Sequence, residues 1–341
     1  MRPSSTSSLR RRTISEPRVG VAFLGAGIVA EMHGRAVAAT SNVRLVTVFD
    51  PNLSRARTLA RRFGAKVGGT LQEVLNDSRV SAVHVLTAPD QHVRLALKCL
   101  KAGKHVLVEK PVAWRRTDIR KLQLAAKAAN RVCMPAHNYI YNPSLRRAKR
   151  LIEEGKLGRI GSLWIIYNIY HPEKVASIYG GVMRAVCVHH AYSLLYLLGR
   201  PSRLAAMTSR VHYRRLTCED QAVIVCQMPN GAIANLWCSF AAKDLTSDPW
   251  TVVYKVLGTA GGVSYTWNEA QFEDDRGPGW GLPCYLESFR NEVDHFINGC
   301  VLNHEQPLST LADALDALQI IETAERSSSS AGKAETMEYD S

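Results

Sequence analysis

The sequence predicts an α/β protein in two parts. A doubly wound parallel sheet comes first, followed by an α/β domain built on an open, mainly antiparallel sheet. Three observations carry this. Short apolar strands alternate with helical patterns from Val19 to about residue 138, the rhythm of a parallel sheet joined by helical crossovers. A glycine-rich turn, Gly25-Ala26-Gly27, joins the first strand to the first helix. After His137 the rhythm changes, and strand-like runs follow one another with few helices between, as in a sheet with one face open.

The elements follow in order. Val19–Leu24 is a short apolar strand, and a helix runs from the glycine turn to about Ala39. Val43–Phe49 is a second strand, Ser54–Phe63 a helix and Ala65–Val67 a short strand. Ser81–Leu86 is a strand ending at Thr87-Ala88-Pro89-Asp90, and Gln91–Leu100 is a helix with His92 on its first turn. His105–Val108, the helix Thr117–Ala129 and the strand Val132–Pro135 complete the first part. In the second part Asn142-Pro143 opens a helix, with proline at its first position, that ends near Gly155. Strand Ser162–Tyr170 and a helix over Val186–Leu198 follow. Strand patterns then cover Arg203–Tyr213, Gln221–Met228, Ala232–Phe240, Thr251–Leu257 and Gly262–Trp267. Two helices close the chain, Tyr285–Asn298 and Thr310–Glu325, and the polar end from Ser327 is expected to fray. The predicted organisation is a disordered basic tail (1–18), a first α/β domain (19–138), a second α/β domain (139–330) and a polar tail (331–341).

Composition narrows the function classes. At 341 residues the chain is long enough for two cores, and no apolar run is long enough to span a membrane. The eight cysteines show no C-x-x-C spacing, which argues against a zinc cage or disulfide scaffold and fits a reducing cytoplasm. No metal site is expected. The net charge of +13 is partly in the tail, where Arg10-Arg11-Arg12 stands. Neither a helix-turn-helix nor a zinc-finger pattern accompanies it, so a nucleic-acid partner is not expected.

Two stretches carry chemistry. Gly25-Ala26-Gly27-Ile28-Val29-Ala30 is G-x-G-x-x-A between strand and helix. Gly25 permits the tight turn, Gly27 lets backbone approach a pyrophosphate, and Ala30 allows close helix–strand packing. The free N–H groups and dipole of the helix start attract phosphate. Asp50 ends the second strand about twenty residues on, where a carboxylate accepts ribose hydroxyls and repels a 2′-phosphate. NAD is therefore expected over NADP, with Arg55 close enough to soften the preference. The second stretch is His105–Pro111, HVLVEKP. A charged pair at the carboxyl end of a buried parallel strand lies where such sheets bind ligands, and Pro111 restricts Lys110 to extended geometry. In isolation Glu109-Lys110 reads as a surface pair and His189 as a core helix histidine; the rest of the chain turns both toward chemistry.

With GAGIVA, VFDPN, the APDQH stretch, AGKHVLVEKP, HNYIYNP, EEGKLGRIGSL, GGVMRAVCVHHAYSLLYLLG and VLGTAGGVSY in order, the chain from about Val19 to Ser330 resembles the glucose–fructose oxidoreductase / inositol dehydrogenase (Gfo/Idh/MocA) family. The resemblance implies a Rossmann domain, a C-terminal α/β domain with an open sheet, and NAD(P)-dependent hydride transfer at a secondary alcohol or ketone of a sugar, cyclitol or sugar nucleotide. It implies that Lys110 acts on the reacting oxygen and that His189 is the acid/base or orienting partner. Cofactor contacts are expected from Gly25, Ala26, Gly27, Ile28, Val29, Asp50 and Arg55. Thr87, Pro89, His92, Glu109, Lys110 and Asn138 are expected to add to them. Substrate contacts are expected from Lys110, Tyr141, Tyr167, His189 and His190, with His137 and His171 as further cleft residues. Two positions depart from the family pattern: Ala185 stands where an aspartate is usual, and Ile140 where arginine is frequent. The loss at 185 gives weight to a rival, a non-catalytic NAD-binding sensor or scaffold; tightly bound, internally recycled NAD is a variant of the enzyme reading. A homodimer or homotetramer through the C-terminal sheet is expected.

Overall fold

A computed structural model of the chain describes residues 19–177, 180–241, 251–266 and 283–339. The basic tail 1–18 and Trp267 lie outside the described residues. Strands β1 (Val19–Leu24), β2 (Val43–Phe49), β3 (Lys66–Val67), β4 (Ala82–Val85), β5 (His105–Glu109) and β6 (Cys133–Ala136) form one sheet in the order β3-β2-β1-β4-β5-β6. Every pairing in it is parallel. The crossovers carry α1 (Ile28–Ala39), α2 (Leu53–Arg62), α3 (Leu71–Asn76), α4 (Pro89–Lys101) and α5 (Arg116–Ala129). All six residues of β1 and all four of β4 are buried, the signature of strands covered on both faces. Strand order reverses between β1 and β4, so the carboxyl ends of β1, β4 and β5 open a crevice at a topological switch point.

The second part begins with α6 (Pro143–Glu153), whose Asn142 cap accepts the Ser144 N–H at 2.8 Å. It continues with β7 (Ile160–Asn168), α7 (Glu173–Ala176) and α8 (Val188–Leu198). Then come β8 (Arg203–Ser209), β9 (Gln221–Gln227), β10 (Ile233–Ser239), β11 (Thr251–Gly258) and β12 (Gly261–Thr266). Helices α9 (Pro283–Asp294) and α10 (Leu311–Ser329) and strand β13 (Glu335–Thr336) close the chain. The sheet order is β12-β11-β7-β10-β9-β8-β13; only β7 and β10 pair in parallel. One face packs on α8 and α10, and α10 also reaches α5 while α9 lies against α1. The two parts are thus joined by helices from the end of the chain.

The structure departs from the sequence pattern in four places, each with a physical cause. The helix expected from Val186 is preceded by a π-helical turn, Met183–Cys187, entered through Gly181 at φ +110°. The strand expected to reach Tyr213 stops at Ser209, because the Asp220 carboxylate collects the N–H groups of Val211, His212 and Tyr213. The helix expected over Tyr285–Asn298 turns π-helical at His295 and runs so to Leu302. The polar end does not fray at Ser327: α10 continues to Ser329 and Glu335–Thr336 adds an edge strand to β8.

Candidate active site

The glycine turn builds a cradle at the switch point. Gly25 has φ +106°, and a Cβ there would lie 2.4 Å from the Leu86 carbonyl oxygen, so only glycine fits the approach of β1 to β4. Its N–H donates to Phe49 O at 2.8 Å, and Leu86 N–H donates to Leu24 O at 2.7 Å; together these tie the ends of three strands. Gly27 is the reverse case: a Cβ there would meet nothing within 4 Å. That open space lies at the start of α1, whose N-cap has no side-chain hydrogen bond. The first N–H groups of the helix face a space where a pyrophosphate fits. Ala26 N–H donates to Asp50 Oδ2 at 2.8 Å and Asn52 N–H to Oδ1 at 2.7 Å. The carboxylate is therefore held beside the cradle with acceptor sites to spare, since each oxygen accepts twice. Arg55 sits in the first turn of α2 with an exposed side chain, its N–H on the Asn52 cap. Ile28 and Val29 open α1, and Ile28 is 77% exposed, unusual for an isoleucine unless a ligand covers it.

His92 links this cradle to the EKP turn. Its Nδ1 lies 2.9 Å from Pro111 O and its Nε2 2.8 Å from Thr87 O. Thr87 lies in the β4–α4 loop and Pro89 opens α4, and His92 thereby fastens that turn to the end of β5. At that end the Glu109 carboxylate has Oε1 3.1 Å from His33 Nε2 of α1, and Oε2 accepts the Lys110 N–H at 2.9 Å. Burial pushes the Glu109 carboxyl up, but the His33 hydrogen bond and the charges of His33, Lys110 and His92 hold it below the usual value. Lys110 Nζ donates to Ala185 O, at 3.3 Å, across to the π-helical turn. Burial lowers the Lys110 pKa, with Glu109 opposing.

Facing Lys110 is a layer of imidazoles and phenols. His189 stacks on Tyr139 with ring centroids 4.0 Å apart and 9° between planes, and lies 4.9 Å from His137. His137 stacks in turn on Tyr192 at 3.8 Å. Tyr139 is hydrogen-bonded to Tyr167, and the His190 ring is 5.9 Å from Tyr167. Alternation along β7 explains the last two: Leu163, Ile165 and Tyr167 are buried toward α8, whereas Trp164 points out. Burial lowers the pKa of His137, His171 and His189, and the Lys110 charge is the next cause at all three. Burial alone brings His190 down to about 3. At neutral pH these imidazoles are uncharged.

Two expected contacts go elsewhere. Asn138–Tyr141 is a 3-10 turn, in which residues three apart eclipse. Asn138 and Tyr141 therefore share a face that looks away from the imidazole layer, toward α9. Asn138 Nδ2 donates to Ser288 Oγ at 2.9 Å, and the fully buried Tyr141 hydroxyl donates to Met134 Sδ at 3.4 Å. The residue between them, Tyr139, joins His189 instead. Sequence reasoning missed Tyr139, and also His33, whose only signal is its place three residues beyond Ala30 on α1.

Comparison with known proteins agrees with this geometry. Residues 19–137 match GFO_IDH_MocA, described as an oxidoreductase family with an NAD-binding Rossmann fold, and residues 145–264 match the GFO/IDH/MocA C-terminal domain. The chain is 28% identical to 1,5-anhydro-D-fructose reductase of Ensifer adhaerens, over 71% of this chain and 74% of that one. It is 24% identical to inositol 2-dehydrogenase of Rhizobium meliloti strain 1021, over 89% and 95% of the two. The crystal structure of GenD2 from gentamicin A biosynthesis in complex with NAD superposes with a TM-score of 0.84 at 26% identity, covering 94% of this chain and 97% of that one.

Proposed function

The chain belongs to the GFO/IDH/MocA family of oxidoreductases, and from that premise we propose that it oxidises a secondary alcohol of a sugar or cyclitol, or reduces the matching ketone, with Lys110 on the reacting oxygen. The relatives named for anhydrofructose and inositol support the substrate class. The observation that carries the reading is the setting of Lys110. Its amine stands at the carboxyl end of β5, within hydrogen-bond reach of Ala185 O, and burial lowers its pKa. A lowered pKa moves the lysine toward the operating pH, the direction a general base requires. A bound nicotinamide supplies the hydride acceptor or donor at the carbinol carbon. The chain's own part is to take the hydroxyl proton on Lys110 Nζ as the C–H bond breaks, or to return it in the reverse direction. The neutral His189, stacked on Tyr139, serves to orient the substrate oxygen rather than to carry charge.

NAD is the preferred cofactor in this proposal. Asp50 is held by two backbone N–H groups beside the Gly27 cradle, where its charge opposes a 2′-phosphate. The functional unit is an oligomer through the seven-stranded sheet. Strand register aligns Val253, Ile166, Trp237, Val223 and Met207 in one row across its outer face. Trp164, 45% exposed, and Val225 widen the band, and an apolar surface of this kind favours a partner. The test is absorbance of reduced nicotinamide over a panel of sugars, cyclitols and their ketones with NAD and NADP. Bound NAD without turnover of any of them would refute the proposal and favour a non-catalytic role.

A further inference from the structure

We infer that Cys187 and Cys238 form a redox modification site, an internal disulfide that fastens the π-helical turn beside Lys110 to the C-terminal sheet. The first ground is contact. The two Sγ atoms lie 2.6 Å apart, and both residues are fully buried. A disulfide bond is about 2.05 Å long, so about half an ångström of side-chain movement joins them. The second ground is placement. Cys187 ends the turn Met183–Cys187. Cys238 lies in the middle of the sheet, on β10, with Tyr167 of β7 on one side and Ala222 of β9 on the other. The two cysteines are 51 residues apart in the chain, so it is the fold that brings them together. Among the described residues no group of three His, Cys, Asp or Glu side chains could hold a metal ion, so a metal does not account for the pair.

The co-reactant is a small peroxide, an uncharged molecule that enters an apolar core more easily than a charged oxidant. One sulfur, as thiolate, attacks a peroxide oxygen; a sulfenic acid forms, and the other oxygen leaves as water with the thiol's proton. The second sulfur then attacks the sulfenic sulfur, the S–S bond forms and a second water leaves. Two thiols lose two electrons, and hydrogen peroxide is reduced to two waters. Burial, and then the contact with Cys187, raise the Cys238 thiol well above its ordinary pKa. Thiolate is therefore scarce and oxidation slow, and the same burial shields the finished bond from reducing thiols. Cys226 of β9, also fully buried, is close enough to feel the Cys187 charge and is the competing partner. Ala185, whose carbonyl accepts from Lys110 Nζ, and His189 stand two residues to either side of Cys187. The cross-link therefore fixes the backbone that places both.

The experiment treats the full chain with hydrogen peroxide over a series of temperatures below its unfolding midpoint, so that local opening admits the oxidant. Remaining thiols are alkylated, and the unreduced digest is read by mass spectrometry. A peptide carrying Cys187 should appear linked to one carrying Cys238, lighter than their sum by two hydrogens, and dithiothreitol should release it. Cys187→Ala and Cys238→Ala should each remove this species, and Cys226→Ala should leave it. In the oxidised protein, amide exchange across residues 183–190 should slow several-fold and the thermal unfolding midpoint should rise, both reversibly with dithiothreitol. Cys187 and Cys238 recovered alkylated at every temperature, or oxidised without a link, would overturn the proposal. A link that leaves amide exchange across 183–190 unchanged would overturn the fastening. Oxidised and reduced protein are also compared by nicotinamide absorbance. Failure of turnover in both forms counts against the dehydrogenase reading and leaves the cross-link standing.

Discussion

Replacing Lys110 by methionine separates chemistry from cofactor binding. Methionine keeps a side chain of similar length against the π-helical turn but removes the amine that donates to Ala185 O. A general acid/base group is worth about 10²–10⁴-fold in rate, or about 2.7–5.5 kcal/mol of barrier. Turnover of the Lys110→Met protein should fall by that range while NAD affinity stays within a few-fold, because the pyrophosphate cradle and Asp50 are untouched. A second readout comes from the imidazoles. The Lys110 charge helps to lower the pKa of His137, His171 and His189. Removing that charge favours the protonated imidazoles, so imidazole titrations followed by NMR should move upward in the variant. Stability gives a third. The folded pKa of Lys110 lies below its unfolded value, so between the two the unfolded chain binds more protons. Stability then rises with pH through that window, up to about 10.4, and falls as pH drops through the folded pKa. The Met variant should lose this slope in urea titrations at several pH values. Wild-type turnover on a confirmed substrate, or imidazole titrations that do not move, would refute the reasoning.

Three further outcomes are expected. Asp50→Ala should weaken NAD about tenfold and bring NADP to within a few-fold of it, as read by fluorescence titration; undiminished discrimination would remove Asp50 from the ribose site. Trp164→Lys places a charge in the apolar band of the outer sheet face and should convert the oligomer to monomer in sedimentation velocity. An oligomer that survives the charge would place the interface elsewhere. Ala185→Asp introduces a carboxylate beside Lys110 and near His189; its charge favours their protonated forms. The pH–rate profile of the oxidation should shift to higher pH with the fold intact by circular dichroism, and an unchanged profile would show that residue 185 does not reach the site.

What was legible in the sequence is what local pattern encodes. Buried parallel strands announce themselves as apolar runs, and Gly25 stands where only a residue without Cβ allows β1 to approach β4, while Gly27 borders open space at the start of α1. Local logic alone leaves Glu109-Lys110 a surface pair; it is the order of motifs along the whole chain that turns it toward chemistry, and the structure ties the pair to His33 and the Ala185 carbonyl. The remainder of the site is set by partners distant in sequence. Asn138, Tyr139 and Tyr141 all carry polar groups and look alike as candidates in the sequence; a 3-10 turn sends Asn138 to α9, the Tyr141 hydroxyl to Met134 of β6 and Tyr139 to His189. Nothing in that tetrapeptide distinguishes a three-residue period from the 3.6 of an α-helix.

The helix after Gly181 carries the same lesson to the chemistry. Counting four residues from Ala185 to His189 assumes α-helical spacing and puts both on one face. Met183–Cys187 is instead a π-helical turn, so the two positions are rotated relative to that expectation. The turn has a long-range cause: Glu219, from the loop before β9, accepts the Met183 N–H, and a Cβ on Gly181 would meet the same carboxylate at 2.4 Å. The rotation turns the Ala185 carbonyl toward Lys110 Nζ. A backbone carbonyl therefore meets the lysine from residue 185, the position where the resemblance leads one to expect an aspartate. A carbonyl accepts a hydrogen bond without adding negative charge, so it orients the amine without raising its pKa as a carboxylate would. With burial left as the main influence on Lys110, this arrangement favours a lysine that gives up its proton more readily.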